Sequence, residues 1–282
     1  MFYIGPILSK MKKYIALDVG ARWGAEEVFS SFSAKELEMH GFEPDPAECS
    51  RLNHEIKNRE GAESISHFFH PVALAGSKGL RNFYHTKNPA CSSLYAPRMH
   101  LNERYPILDV IELERVSCIE VDTLSSWASR TGIDYIDYIK LDTQGSELEI
   151  LQGAGSLVET FVCAEIEVEF NPIYENQALF SDVDAFMREK GMVLWGFKHI
   201  QHYVFGAQHL SMDRKLLLKY DANEEVTNAR GGQLFWADAL YVRRNLLEER
   251  ALDLDMLSRA IYLLDRLGFK DIVCHLNALN KQ

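Results

Sequence analysis

At 282 residues, with 47% hydrophobic and 25% charged side chains, the chain can bury a sizeable core and is too apolar for wholesale disorder. Its 41 acidic and 30 basic residues leave a formal net charge of -11 without any long Lys/Arg run. That balance argues against DNA or an anionic membrane as the main partner.

Five widely spaced cysteines form no CxxC or Cys/His ligand spacing, the pattern of reduced thiols in a cytoplasmic protein. The opening MFYIGPILSKMKK puts a short apolar run before its lysines, the reverse of a signal peptide and too short to span a membrane. YIALDV (14–19) predicts a buried parallel strand, and AEEVFSSF a helix after Gly24. LEMHGFEP (37–44) reads as a second strand. Asp45, Pro46 and Glu48 then supply the N-cap, first-turn proline and capping-box acid of a helix.

A third strand is expected over SISHFFHPVAL (64–74), and an added hairpin strand over GLRNFYHT (79–86). Pro89, Pro97 and Pro106 mark 87–110 as a loop or lid. LERVSCIEV predicts a strand leading into a helix capped by Asp122. YIDYIKLD (135–142) predicts a fourth buried strand before the short helix SELEILQGA. FVCAEIEVEF (161–170) starts as a buried run and then alternates Glu with apolar residues, as a strand does when it emerges from a sheet. SDVDAFMREKG predicts a helix capped by Ser181, with Gly191 past its end. MVLWGF and LFWADALYVRR are the last strands, around an irregular insertion at 198–232. Apolar residues at helical spacing follow from Asn245. The pattern is one domain over 1–244, with a helical extension over 245–282 packed on it.

Alternating strands and helices imply a mostly parallel α/β sheet with helices on its faces. In such sheets, ligands bind beyond the carboxyl ends of the strands, where strand order reverses. The polar residues ending the strands are therefore the candidates: Asp18, Glu43, Asp142 and the pair Glu165 and Glu167. Gly20 and Gly24 permit a tight turn or a close backbone approach to a ligand. Glu43 follows Gly24 at the interval from which an acid takes hydrogen bonds from ribose hydroxyls. These features suit NAD or an adenosyl ligand equally. IDYIKLDTQGSELEILQGA separates them, because it has neither a phosphate loop nor a hydride-site histidine. It places Asp142 toward the cleft, with Lys140 two residues back on the same strand face.

DVGARWG, GFEPDP followed by Asn53, VDTL, IKLDTQGSELEILQGA and ADALYVRR together resemble the FkbM family of S-adenosylmethionine-dependent methyltransferases, over residues 14 to about 244. The resemblance implies a Rossmann-like class I fold, a seven-stranded sheet, and methyl transfer to an oxygen, often of a sugar or natural product. It also implies that Gly20 and Gly24 flank the methionine and ribose, with Asp18 beneath, that Glu43 and Pro44 meet the ribose, and that Asp142 stands beside the methyl group. Glu147 matches the family's acid after the glycine, and could orient Lys140, orient the turn or meet substrate. Arg22 and Trp23 stand where the family commonly has Asn-Ile. Arg22 could pair with the methionine carboxylate or lie on the surface, and Trp23 could offer its face to the sulfonium but is expected rather to pack.

A hydroxyl acceptor must lose its proton, and Asp142 is the first candidate for the base. Glu165 is the second and His70 an alternative, while Ser92 and Ser93 in the lid are candidate donors to the substrate. Asp142 with Glu165 could also hold magnesium, but the same carboxylates suit acid/base work and no metal is expected. The expected partner is a small-molecule or carbohydrate acceptor, with no nucleic acid or membrane and with room for a homo-oligomer. Two other readings stand beside this one: an NAD-linked dehydrogenase, and a non-catalytic interaction protein on the same scaffold.

Overall fold

The computed structural model describes residues 12–24, 29, 31–58, 66–206, 232–248 and 254–279. Its strands are β1 (Tyr14–Val19), β2 (Leu37–Phe42), β3 (His67–His70), β4 (Ala73–Leu74), β5 (Gly79–Thr86), β6 (Leu113–Asp122), β7 (Tyr138–Leu141), β8 (Cys163–Glu169), β9 (Met192–Tyr203) and β10 (Gln233–Arg243). Its helices are α1 (Pro46–Asn58), α2 (Leu101–Arg104), α3 (Leu124–Thr131), α4 (Glu147–Gly153), α5 (Phe180–Glu189), α6 (Asn245–Glu248), α7 (Leu254–Arg266) and α8 (Lys270–Leu279). Most of the helix expected at AEEVFSSF, the first 11 residues and most of the 198–232 insertion lie outside the described residues; residues 198–203 are not irregular but continue β9, paired with β10. Among the described residues, no helix is long and apolar enough to cross a membrane.

β1 is apolar almost throughout because it lies mid-sheet, and all six of its residues are buried. It pairs in parallel with β2 on one edge and β7 on the other. The full order is β3-β2-β1-β7-β8-β10-β9, so strand order reverses between β1 and β7. Among the described residues of this sheet, only the two pairings made by β10 are antiparallel. Trp127 of α3, Ile150 of α4 and Met187 of α5 cover one face, against Leu17, Ile139 and Ile166. Leu52 of α1, Leu257 and Leu264 of α7, and Ile272 of α8 cover the other, against Ala16, Met39 and Tyr138. This is the mixed, mostly parallel α/β sheet that the sequence predicts.

Several local expectations change. The third strand does not run through residue 74, because Pro71 has no N–H for the ladder. Val72 N–H turns back to the His70 carbonyl at 2.9 Å, and Ala73–Leu74 joins a separate three-stranded sheet in the order β4-β6-β5. β5 pairs antiparallel with β6, but the connection is the whole of 87–112 rather than a tight hairpin. Asp45 does cap α1, its Oδ1 accepting from Ala47 N–H at 3.0 Å. Glu48 turns to Arg51 instead of closing the box, and Glu43 accepts the Asp45 N–H at 2.8 Å. Thr123 caps α3 in place of Asp122, which pairs with Arg130. Asp182 takes the Leu179 N–H at the start of α5, and Ser181 lies inside the helix.

β8 stays within the sheet. Glu165, Glu167 and Glu169 are all buried, on the face opposite Ile166 and Val168. Alternation puts them on one side, and Lys198 and Gln144, from distant segments, satisfy Glu165 and Glu167.

The extension is tied to the sheet by a buried ion pair. Arg259 of α7 donates through Nε to Asp137 Oδ1 at 2.8 Å and through Nη2 to Asp137 Oδ2 at 2.6 Å. It also donates to the Lys12 and Lys13 carbonyls and stacks over Tyr14, 4.2 Å from the ring centroid. Removing one partner strands a buried carboxylate, so Arg259→Ala is expected to cost about 3 kcal/mol. Thermal denaturation should show a melting temperature lower by about 6–10 °C. An unchanged value would mean that the clamp contributes nothing.

Candidate active site

The glycine turn after β1 is shaped first by the chain. Gly20 (φ +93°) packs so tightly against the end of β7 that a Cβ would lie 1.8 Å from the Asp142 carbonyl oxygen. Gly20 N–H and Ala21 N–H both donate to the Phe42 carbonyl at 3.0 Å, and Asp142 N–H to the Val19 carbonyl at 2.9 Å. The ends of β1, β2 and β7 are thereby laced together. Among the described residues, the Cβ of a side chain at Gly24 (φ +88°) would meet only Leu52 Cδ2 at 3.4 Å. Gly20→Ala is therefore expected to destabilise far more than Gly24→Ala, which carries only the left-handed strain of about 1–2 kcal/mol. Urea midpoints of the two variants compare them directly, and equal losses would contradict the backbone contact.

Beyond this lacing lies a cleft of about 430 Å³, lined by Gly20, Arg22, Glu43, Pro44 and Asp142 and roofed by Phe83, His85 and Ser117 from the small sheet. Glu43 is 4% exposed. Burial raises its pKa, against the lowering effects of the Asp45 N–H and the Arg22 guanidinium. Arg22 Nη1 sits 3.6 Å from Glu43 Oε1 and 3.7 Å from Asp45 Oδ2, so Arg22 lies in the cleft beside acids. A smaller cavity of about 190 Å³ shares Gly20, Arg22, Ala90, Asp142 and Gln144 with the first. Trp23, Tyr174, Tyr203, Trp236, Glu167 and Glu169 are among its other walls. Trp23 does not pack as expected; it is 78% exposed at the rim.

The turn from Asp142 to Glu147 joins the two cavities. Glu147 accepts from Thr143 N–H at 2.7 Å, Thr143 Oγ1 at 2.8 Å and Gly145 N–H at 3.0 Å, so its carboxylate organises the turn. Gln144 Nε2 donates to Asp142 Oδ1 at 2.9 Å and to Glu167 Oε2 at 2.7 Å. Tyr174 Oη lies 3.1 Å from Gln144 Oε1 and 2.7 Å from the Cys91 carbonyl oxygen. Lys140 Nζ stands 3.9 Å from Asp142 Oδ2. Burial first, then the Asp142, Glu169 and Glu147 carboxylates, hold Glu167 well above the ordinary carboxylate range, and burial does the same for Glu169.

Of the other candidates, all but Ser92 lie apart from the two cavities. Lys198 grips both oxygens of Glu165 at 2.8 and 2.9 Å, and Tyr138 Oη donates at 3.4 Å. Glu165 lines neither cavity; its strand neighbour Glu167 does. Asp18 is buried in β1, opposite Gly41 and Lys140 in the adjoining strands. Ser92 lines the larger cleft and accepts from Thr86 N–H at 3.2 Å. Ser93 is buried and donates to the Gln144 carbonyl at 2.7 Å, which commits its hydroxyl to the turn. Among the described residues, no group of three His, Cys, Asp or Glu side chains is arranged to hold a metal ion.

His70 also lines neither cavity. Its Nε2 lies 3.0 Å from His40 Nδ1, and both rings pack on Trp127. Burial, with His40, pushes its pKa from 6.5 down to about 4. The unfolded chain then binds that proton first as pH falls, so this group lowers stability between pH 6.5 and about 4. His70→Asn should reduce the difference between urea midpoints measured at about pH 7 and about pH 5. An unaltered difference would assign the slope to other groups.

Gln144, Tyr174, Trp236 and Glu169 are absent from the residues singled out by sequence. Gln144 lies inside the LDTQGS motif, and Glu169 is the third member of the alternating run, so both carried a signal. Tyr174 and Trp236 carried none, because their place depends on packing.

A model of the Methyltransferase FkbM domain matches residues 18–194, which hold the glycine turn, Glu43, the Asp142 turn and β8. The 2-O-methyltransferase NoeI of Sinorhizobium fredii (strain NBRC 101917 / NGR234) is 22% identical over 170 residues, 58% of this chain and 66% of that protein. The aligned part is thus just under two thirds of that relative. Magnesium protoporphyrin IX methyltransferase (ChlM) from Synechocystis PCC 6803, solved with bound SAM, covers 83% of this chain and 72% of its own at a TM-score of 0.36 and 8% identity. Sp1610 of Streptococcus pneumoniae, a candidate tRNA (m1A22) methyltransferase, covers 99% of each chain at a TM-score of 0.36 and 9% identity.

Proposed function

Because the chain belongs to the FkbM family of S-adenosylmethionine-dependent methyltransferases, we propose that the larger cleft holds S-adenosylmethionine and that the smaller cavity receives a hydroxyl of a small molecule or carbohydrate. The observation that carries this reading is that Asp142 lies on the wall common to both cavities. When bound, S-adenosylmethionine supplies an electrophilic methyl group, whose loss leaves the sulfur a neutral thioether.

The cleft residues fit that group. Gly20 has no side chain to block the strand end, and Glu43 offers a buried carboxylate at its wall. The Asp45 N–H occupies Glu43 Oε1, whereas Oε2 takes no hydrogen bond from the described residues. Oε2 is the atom assigned to the ribose hydroxyls, beside Pro44, with the Gly20–Gly24 turn and Asp18 beneath toward the methionine end. Arg22 is assigned to the junction, where its guanidinium balances Glu43 and Asp45.

The protein's own contribution to methyl transfer is positioning, because the acceptor oxygen must stand in line at near-attack distance. A hydroxyl acceptor also sheds its proton at or near the transition state. Asp142 is the proton acceptor in this reading, with Lys140 Nζ behind it. The likeness to a 2-O-methyltransferase supports oxygen as the acceptor atom.

Calorimetric titration with S-adenosylmethionine, S-adenosylhomocysteine and NAD tests the assignment. The adenosyl ligands should bind and NAD should not; the reverse would overturn the reading. Glu43→Ala loses charge-assisted hydrogen bonds and should weaken S-adenosylhomocysteine about 10–100-fold. Asp142→Asn should leave that affinity intact and lower turnover of a hydroxylated acceptor about 10²–10⁴-fold.

A further inference from the structure

The smaller cavity contains a second carboxyl group whose orientation is fixed by an unusual residue. Gln144 has φ +61°, a left-handed conformation that non-glycine residues seldom adopt and that clusters at functional sites. Ser93 Oγ holds its carbonyl, and Tyr174 Oη lies against its side-chain oxygen. An amide nitrogen carries two protons. Gln144 directs one to Asp142 Oδ1 and the other to Glu167 Oε2. The same amide thereby sets the separation of two carboxyl groups that face one cavity.

The two groups differ in chemistry. Glu167 is 8% exposed, and burial, then the Asp142, Glu169 and Glu147 carboxylates and a hydrogen bond with Asp142, push its pKa well above the ordinary carboxylate range, toward the neutral form. Because Gln144 donates to Oε2, the carboxyl proton belongs on Oε1. Glu167 is then a hydrogen-bond donor beside a proton acceptor. Glu165, two residues back on the same face, cannot serve, since Lys198 and Tyr138 occupy it away from the cavity.

We propose that Glu167 is a catalytic residue that binds, through Oε1, an oxygen adjacent to the hydroxyl presented to Asp142, so that the acceptor is a vicinal diol. Gln144 is its positioning residue. The proton released by the reacting hydroxyl passes to Asp142, and Glu167 keeps its own proton throughout. The inference rests on the two-cavity reading above. It adds a requirement that reading lacks: two neighbouring oxygens on the acceptor.

Two measurements test it. The first needs no acceptor: carbodiimide with glycine ethyl ester labels accessible protonated carboxyls, and peptide mass spectrometry reads the sites. Glu167 should react ahead of Glu165 and Glu147. Labelling of Glu165 first would overturn the inference whatever the acceptor is. The second uses methyl hexopyranosides and their monodeoxy counterparts as probes. The wild-type chain should favour the diol about 10–100-fold in kcat/KM, the range of one buried hydrogen bond. Glu167→Leu should abolish that preference, while S-adenosylhomocysteine affinity stays within about twofold and reports an intact fold. Glu167→Gln keeps an N–H donor of similar shape and should restore the diol preference that Glu167→Leu loses, with a fall in turnover much smaller than that of Asp142→Asn. Loss of turnover in Glu167→Gln as deep as in Asp142→Asn would make Glu167 a base and refute the proposal. Gln144→Ala should shrink the ratio of diol to monodeoxy turnover, because the two carboxyl groups lose the amide that sets their separation; mere loosening would lower both rates and leave the ratio. Failure of the wild type to methylate any pyranoside would count against the carbohydrate acceptor class alone, and the labelling order would still decide the role of Glu167.

Discussion

The backbones of β1 and β7 meet at Gly20 and Asp142, so closely that no side chain fits between them. Everything in the site follows from that contact. It lies where strand order reverses, so the chain diverges to either side and leaves room above. One compartment opens toward the end of β2 and Glu43, the other toward the end of β8 and Glu167. Because the contact is backbone against backbone, the Asp142 side chain is carried to the common wall by the sheet itself. A loop would hold it less firmly.

The second constraint is charge. Burying a carboxylate is costly unless it is hydrogen-bonded, paired or neutral. The structure uses each of these solutions within a few residues. Glu147 accepts from the N–H groups of its own turn, Glu165 is paired with Lys198, and Glu167 shares an amide with Asp142 and is driven toward its neutral form. The left-handed Gln144 is the local strain that this arrangement requires. Neighbouring acids therefore acquire different chemistry from their surroundings.

Much of the sheet was legible in the sequence. Short, mostly apolar runs bounded by glycine and polar residues mark β1 and β7, since a strand covered on both faces has no reason to alternate. Strand limits were legible only where a local rule applied. Pro71 interrupts the third strand through its missing N–H, and two helix caps moved by a residue or two, Thr123 taking the Ser126 N–H and Asp182 the Leu179 N–H. The alternating glutamates of β8 were visibly unusual. Their burial was not foreseeable, because Lys198 and Gln144, which satisfy two of them, lie 33 and 23 residues away in the chain. His70 is a similar case: its strand was expected, but its pairing with His40 depends on the register of β2 against β3.

The sequence by itself determined the kind of sheet, the glycine turn with an acid after each of its neighbouring strands, and the family. These are consequences of periodicity and residue type, which act over a few positions. The tertiary structure decided which acids face a cavity, which are neutralised, and that Gly20 answers first to a carbonyl oxygen 122 positions downstream. Those outcomes depend on distances between segments remote in the chain, and on the dielectric and hydrogen-bond partners that only packing supplies.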